Sequence, residues 1–193
     1  SQEETAEFLK AIPENMEKCG GRVWTEMRVA VSGSGADEWE RLAKWVAQHS
    51  VGRGRRNRWV VELPRGYSAM RAANPTSVRS YADYLDNVFA PLVAATTDPG
   101  AHPALAALLA HISGFDLGGF DADARVAGAC FSDAGTALPG PTLPEPGAWT
   151  GASEPPYVYS LYHYYVCVAR LNALRRARGH AALALRPHCG ETG

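Results

Sequence analysis

A parallel α/β fold is what the sequence predicts, and three observations carry it. Short β-favouring runs alternate with helical stretches along the chain. One of those runs, Arg58-Trp-Val-Val-Glu-Leu-Pro64, is dense and apolar enough for a strand buried in a sheet. With 193 residues, 46% of them hydrophobic, the chain can bury one substantial core but is short for two domains. Alternation alone leaves two architectures open, a doubly wound sheet and a barrel.

Each element has its own reason. A helix is predicted over 3–18, where Phe8, Ile12 and Met16 fall four apart on one face and Cys19-Gly20-Gly21 supplies the stop. The period changes to two over 22–31, with Val23, Thr25, Met27, Val29 and Val31 on one side and Trp24, Glu26, Arg28 and Ala30 on the other. Glu26 and Arg28 therefore share a face that is not plain core. A helix from Ser34 to Ser50 carries Trp39, Leu42, Ala43 and Val46 as its apolar stripe. A basic, glycine-containing turn over 51–57 leads into the strand at 58–64, which Pro64 stops, with Arg65 just past its end. From Ser77 to about Ala95 the pattern is helical again, bearing Tyr81, Tyr84, Leu85, Val88 and Leu92, with an interruption at Pro91. A short helix follows over 102–111, where Pro103 suits the first turn.

Residues 112–117 predict a third strand with one acid, Asp116, in an apolar setting. Prolines and glycines dominate from about 118 to 156, which predicts a long surface excursion without regular structure. Tyr157 to Arg178 has an aromatic and aliphatic body, a basic last turn and Gly179 as a cap, all of which predict a helix. A final strand over 181–186 runs into Pro187-His188-Cys189-Gly190-Glu191.

The 19 basic and 20 acidic side chains leave a net charge of −1. No long-range field then draws the protein to a phosphate backbone or an anionic membrane, which argues against nucleic-acid and membrane partners. No run of about 18 apolar residues occurs, and the first twenty positions carry mixed charge, so a soluble, unexported chain is expected. Cys19, Cys130, Cys167 and Cys189 are scattered without a CxxC pair, which fits a reducing, cytoplasmic setting. Neither common glycine loop for nucleotide phosphates is present.

The strongest local feature is His188-Cys189-Gly190-Glu191, which emerges from the carboxyl end of an apolar strand. Functional side chains collect at that edge in parallel α/β folds. An imidazole is a good zinc ligand. A carboxylate three residues on, behind a glycine that lets the chain turn, reaches the same cavity without coordinating the metal. Metal-activated water beside an acid–base carboxylate is a workable hydrolytic pair. The same residues also read as an ordinary structural strand end. A thiol-hydrolase reading pairs Cys189 with His163 or His188 as base. Against it, neighbours on a strand point to opposite faces, and a cysteine is by default a small apolar residue. Glu26 and Arg28 read either as a salt-bridged polar layer or as substrate contacts, and Arg65 either as a phosphate anchor or as a loop cap. The tyrosines from Tyr157 to Tyr165 stand at helical spacing and read as packing against the sheet. His49, His102, His111 and His180 show no metal-ligand spacing.

The ending LNALRRARGHAALALRPHCGETG, preceded by PPYVYSLYHYYVCVA, closely resembles the AMP deaminases. In that family a tyrosine-rich helix, a leucine-asparagine-leucine-arginine segment and an arginine-proline-histidine-cysteine-glycine-glutamate strand end occur in this order. DEWERLAKWV, RWVVELPRGY, YLDNVFAPLVAATTDPGAHPAL and ISGFD look like further blocks of the same family, also in order. The resemblance thus covers about residues 22–193 apart from the proline-rich excursion.

The resemblance implies an incomplete (β/α)8 TIM-type barrel of the zinc-dependent amidohydrolase kind. The strands at 22–31, 58–63, 112–117 and 182–187 would be the second to fifth of eight, in one partial barrel domain over 1–193 with a surface insertion at about 118–156. It implies hydrolytic deamination of AMP to IMP with release of ammonia, in purine salvage and interconversion. His188 takes the place of a zinc ligand, Glu191 that of the carboxylate that binds the purine and protonates its ring nitrogen N1, and Gly190 lies where backbone contacts the purine. Arg28 and Arg65 are the candidates for anchoring the phosphate. The family also implies one zinc ion, AMP as the small-molecule partner and self-association of the intact protein.

Two departures from the family pattern stand out. Where the family has serine, valine, two aspartates, glutamate and serine after phenylalanine-aspartate, this chain reads Leu117-Gly-Gly-Phe-Asp-Ala122, and only Asp121 remains near the lost pair. The family's His-x-His zinc pair, its catalytic histidine and its aspartate ligand do not occur. Catalytic zinc needs three or four protein ligands, so most lie outside this chain, which alone is expected neither to hold zinc tightly nor to deaminate. Two functions stay open: a section of a catalytic AMP deaminase, or a catalytically inactive deaminase-like binding or regulatory protein.

Overall fold

Four strands, β1 (Thr25–Ala30), β2 (Asn57–Pro64), β3 (Ile112–Gly118) and β4 (Ala184–Leu185), pair in parallel in the order β1-β2-β3-β4. Among the described residues six helices accompany them: α1 (Gln2–Lys18), α2 (Glu38–His49), α3 (Tyr67–Ala73), α4 (Tyr81–Thr97), α5 (Pro103–His111) and α6 (Tyr157–Ala177). The computed structural model describes residues 2–18, 23–52, 54, 56–118 and 143–187. The order is sequential, without the reversal that marks a doubly wound sheet.

The alternation in β1 divides the sheet into two unlike faces. Met27 and Val31, with Trp59, Val61 and Leu63 of β2 and Phe115 and Leu117 of β3, pack into one core with Trp39 of α2, Val88 and Leu92 of α4, Leu105 and Leu108 of α5, and Tyr164 and Val168 of α6. Val60, buried on the opposite face, is outside that core. The opposite face carries Glu26, Arg28, Glu62 and Asp116, as register pairs Arg28↔Val60, Ala30↔Glu62 and Glu62↔Asp116 place them.

Local chemistry sets the helices. Helix α4 begins with a capping box, the Ser80 side chain accepting from the Asp83 N–H while the Asp83 carboxylate accepts from the Ser80 N–H. It continues through Pro91 to Thr97, where the sequence predicts an interruption; its buried stripe, including Val88, Phe89 and Leu92, outweighs the missing N–H. Helix α1 forms where the period predicts it but turns differently. Phe8 is 68% exposed, and Ala6 and Leu9 are the residues that meet the core. Helix α3 is not marked by any pattern in the sequence.

Residues 143–156 contain no helix or strand, yet they are fastened to the helices. The Trp149 carbonyl accepts from the Tyr81 N–H at 3.0 Å and from the Tyr67 hydroxyl at 3.0 Å, and the Glu154 carboxylate accepts from the Ser68 N–H at 2.8 Å. Among the described residues no helix is long and apolar enough to cross a membrane.

Candidate functional site

The charged face of the sheet gathers side chains that lie far apart in sequence. Arg28 of β1 forms an ion pair with Asp116 of β3, whose side chain is almost wholly buried while that of Arg28 is more than half exposed. Arg186, directly after β4, donates through both terminal nitrogens to Glu26, at 2.7 and 2.9 Å. The Ser113 hydroxyl donates to the same carboxylate at 2.7 Å. Those hydrogen bonds, from Arg186 first and Ser113 second, hold the Glu26 carboxyl at about 2, well below its ordinary range. Arg186 rises correspondingly through its bond to Glu26.

These residues line a cleft of about 310 Å³ formed by Glu26, Arg28, Val60, Asp116, Arg186 and Pro187. Two larger cavities, about 610 and 710 Å³, lie along α6 in the helical layer. The smaller cleft is the one on the sheet's charged face, reaching from Glu26 near the start of β1 to Arg186 just past the end of β4. Glu62 stands one strand over from Asp116 in the same register row, and its carboxylate lies against Gly118, where a Cβ would collide with it.

Two features aim β4 at this cleft. The Arg186 N–H donates to the Phe115 carbonyl at 2.7 Å, which carries the β3–β4 pairing past Leu185. Before the strand, buried Asn172 of α6 uses its amide like a strand neighbour: its nitrogen donates to the Leu183 carbonyl at 2.8 Å and its oxygen accepts from the Leu183 N–H at 2.7 Å. The leucine-asparagine segment noted in the sequence thus fixes the height at which Arg186 and Pro187 follow.

The predicted site residues separate into three groups. Arg28 lies in the cleft, engaged with Asp116. Arg65 follows β2 but does not line the cleft. Its guanidinium donates to the Pro155 carbonyl at 2.9 Å and stands 6.0 Å from the Tyr157 ring, while its N–H donates to the Gly118 carbonyl at 3.2 Å. His188, Gly190 and Glu191, with Cys189, lie outside the described residues. His163, the other histidine weighed as a base, packs among the rings of Tyr81, Tyr159 and Tyr162, and burial lowers its pKa. The Cys167 thiol is pushed up to about 11 by burial, which keeps it protonated near neutrality. Asp116, Glu62 and Arg186 join this face without a site motif in the sequence; the signal for Asp116 is an acid inside an apolar strand, and for Arg186 its place just before the Pro187-His188 pair. Among the described residues no group of three or more His, Cys, Asp or Glu side chains is gathered to hold a metal ion.

The family profile described as AMP deaminase matches residues 3–193, taking in α1 as well as the blocks noted from residue 22 onward. The chain is 36% identical over 170 residues to AMP deaminase 3 of Rattus norvegicus, covering 88% of this chain and 20% of that protein. It is 34% identical over 188 residues to AMP deaminase 3 of Homo sapiens, covering 97% of this chain and 23% of that protein. It is 37% identical over 168 residues to the AMP deaminase of Saccharomyces cerevisiae, covering 87% and 19%. The chain therefore spans about a fifth of the length of these curated relatives. A profile match over nearly all of its residues, backed by relatives above 30% identity, makes this chain a member of the AMP deaminase family.

Proposed function

We propose that the intact protein hydrolyses AMP to IMP and ammonia on a (β/α)8 barrel of which this sheet is the section from the second to the fifth strand. The observation that carries the activity is the family match over residues 3–193, with the His188-to-Glu191 run following directly on cleft residues Arg186 and Pro187 in sequence. Three features support the barrel: sequential strand order, an apolar face turned to the helices, and a charged face opposite, as an inward barrel face near its catalytic end requires.

In the proposed reaction a water oxygen bonds to the purine carbon that carries the amino group and the bond from that carbon to the amino nitrogen breaks, so that of the water's two hydrogens one ends on N1 of IMP and the other on the departing ammonia. Glu191, as a neutral carboxyl, protonates N1 and so lowers the resistance of the aromatic ring to the addition. Gly190 supplies a backbone contact to the purine. Arg28 and Arg65 are the proposed phosphate contacts, Arg28 from within the cleft and Arg65 from the end of β2. Zinc is proposed on the resemblance: the described residues do not by themselves make a metal site, and His188 is this chain's one proposed ligand. A cytoplasmic setting, a role in purine salvage and self-association of the intact protein belong to the same reading, with AMP as partner and neither nucleic acid nor membrane.

Changing Glu191→Gln in the intact protein is expected to lower AMP turnover by about a thousandfold while leaving zinc content unchanged. Unaltered turnover would remove Glu191 from the mechanism. A folded, zinc-loaded wild-type protein that leaves AMP untouched would favour the inactive deaminase-like alternative.

A further inference from the structure

The loop that leaves β1, Ser32-Gly33-Ser34, is held by a single carboxylate. Glu38, the first residue of α2, accepts from the Ser32 N–H at 2.7 Å and the Ser32 hydroxyl at 2.9 Å through Oε1. Through Oε2 it accepts from the Gly33 N–H at 2.9 Å, the Ser34 N–H at 3.2 Å and, more weakly, the Ser34 hydroxyl at 3.4 Å. An ionised carboxylate has about four lone-pair sites. With five donors converging on it, Glu38 has no capacity left for a proton-transfer or ligand role, and what it supplies is geometry.

The loop is gripped from behind as well. Gly33 has φ +74°, and a Cβ there would stand 2.6 Å from the Tyr84 ring, so only glycine lets the backbone lie flat on that ring. Asn87 of α4 donates to the Gly33 carbonyl at 3.0 Å. The Val31 N–H, just before the loop, donates to the Glu62 carbonyl at 3.0 Å, which ties the loop's root to the row holding Glu62 and Asp116. A segment fixed from both sides at the carboxyl end of a parallel strand stands on the edge where substrate-contacting loops of such folds collect and must be rigid.

Because both hydroxyls spend their protons on Glu38, what they offer outward is acceptor lone pairs beside a negative charge. Such a rim suits a hydrogen-bond donor such as a sugar hydroxyl and repels a phosphate. We propose that Glu38 is a positioning residue for substrate binding, holding Ser32–Ser34 so that the loop receives the sugar hydroxyls of the nucleotide. This rests on the deaminase reading given above.

The test is steady-state kinetics on the intact protein with AMP. Glu38→Gln replaces one acceptor oxygen by a donor facing the loop N–H groups, and is expected to raise KM for AMP about tenfold with kcat within twofold of wild type. Ser32→Ala removes one donor and leaves the carboxylate, should raise KM about threefold, and serves if Glu38→Gln fails to fold. Asp37→Asn, next in the chain and paired with Arg41 on the surface, should leave both constants unchanged. A purely structural role would lower the melting temperature and leave KM unchanged, and that result overturns the proposal while the deaminase reading stands. Absence of AMP turnover in the wild-type protein overturns the deaminase reading and this proposal with it.

Discussion

Glu26 sits at the mouth of a cleft, 42% of its side chain exposed, yet it keeps its charge far into acid. Its folded-state pKa of about 2 lies below its ordinary value of 4.5. The stabilisation from its bond to Arg186 is therefore complete above the ordinary carboxyl range and is lost as the pH falls through about 2. Unfolding midpoints of wild type and Glu26→Gln should accordingly differ by a constant amount above pH ~5 and converge toward pH ~2; parallel curves down to that pH would contradict it. Asn172 is the other residue with a defined task. Asn172→Leu strands the N–H and C=O of Leu183, and should cost about 3 kcal/mol in denaturant unfolding. At this scale the sequence was informative about faces and silent about partners. Alternation placed Glu26 and Arg28 together, but their partners Arg186 and Asp116 arrive through strand register, which no local pattern encodes.

Elements were legible wherever a stripe of side chains was long and one-sided. Helix α4 is legible in its buried tyrosines and aliphatics and β2 in its dense apolar run; helix α6 is legible as a helix, but only Tyr159 and Tyr164 of its tyrosines are buried, while Tyr162 and Tyr165 stand exposed instead of packing against the sheet. The failures have physical causes. Helix α3 has seven residues, too few for a periodic signal, and it is held by contacts from 82 to 86 residues downstream, such as Tyr67 to Trp149 and Ser68 to Glu154. Helix α1 showed its period but not its face, because the core accepts small Ala6 more closely than Phe8. Strand β4 pairs over two residues instead of six, since what holds the rest of that segment is the Asn172 amide and the Arg175 side chain, which donates to the Ala181 carbonyl at 2.9 Å. The β3–β4 contact also depends on Gly114, where a Cβ would collide with the Ala184 carbonyl. Gly114→Ala should push β4 away, destabilise the intact protein by about 2 kcal/mol in denaturant unfolding, and lower AMP turnover by shifting the residues that follow Arg186. An unchanged unfolding midpoint would show that β4 yields without cost.

At the scale of the whole molecule, the parallel sheet was predictable from alternation, whereas the choice between a doubly wound sheet and a barrel section was not. Sequential order and, among the described residues, the packing of helices on one face are compatible with the proposed barrel section. The charged face follows from that arrangement: a layer of Glu26, Arg28, Asp116 and Arg186 is costly against a second layer of helices but suits the polar, ligand-bearing end of a barrel. The measurement that bears most directly on this is the formation of IMP and ammonia from AMP by the intact wild-type protein, followed by absorbance and by ammonia release. Equimolar IMP and ammonia are expected, with AMP lost in step; a folded, metal-loaded protein that binds AMP but releases neither would contradict the assignment of this sheet to a working deaminase.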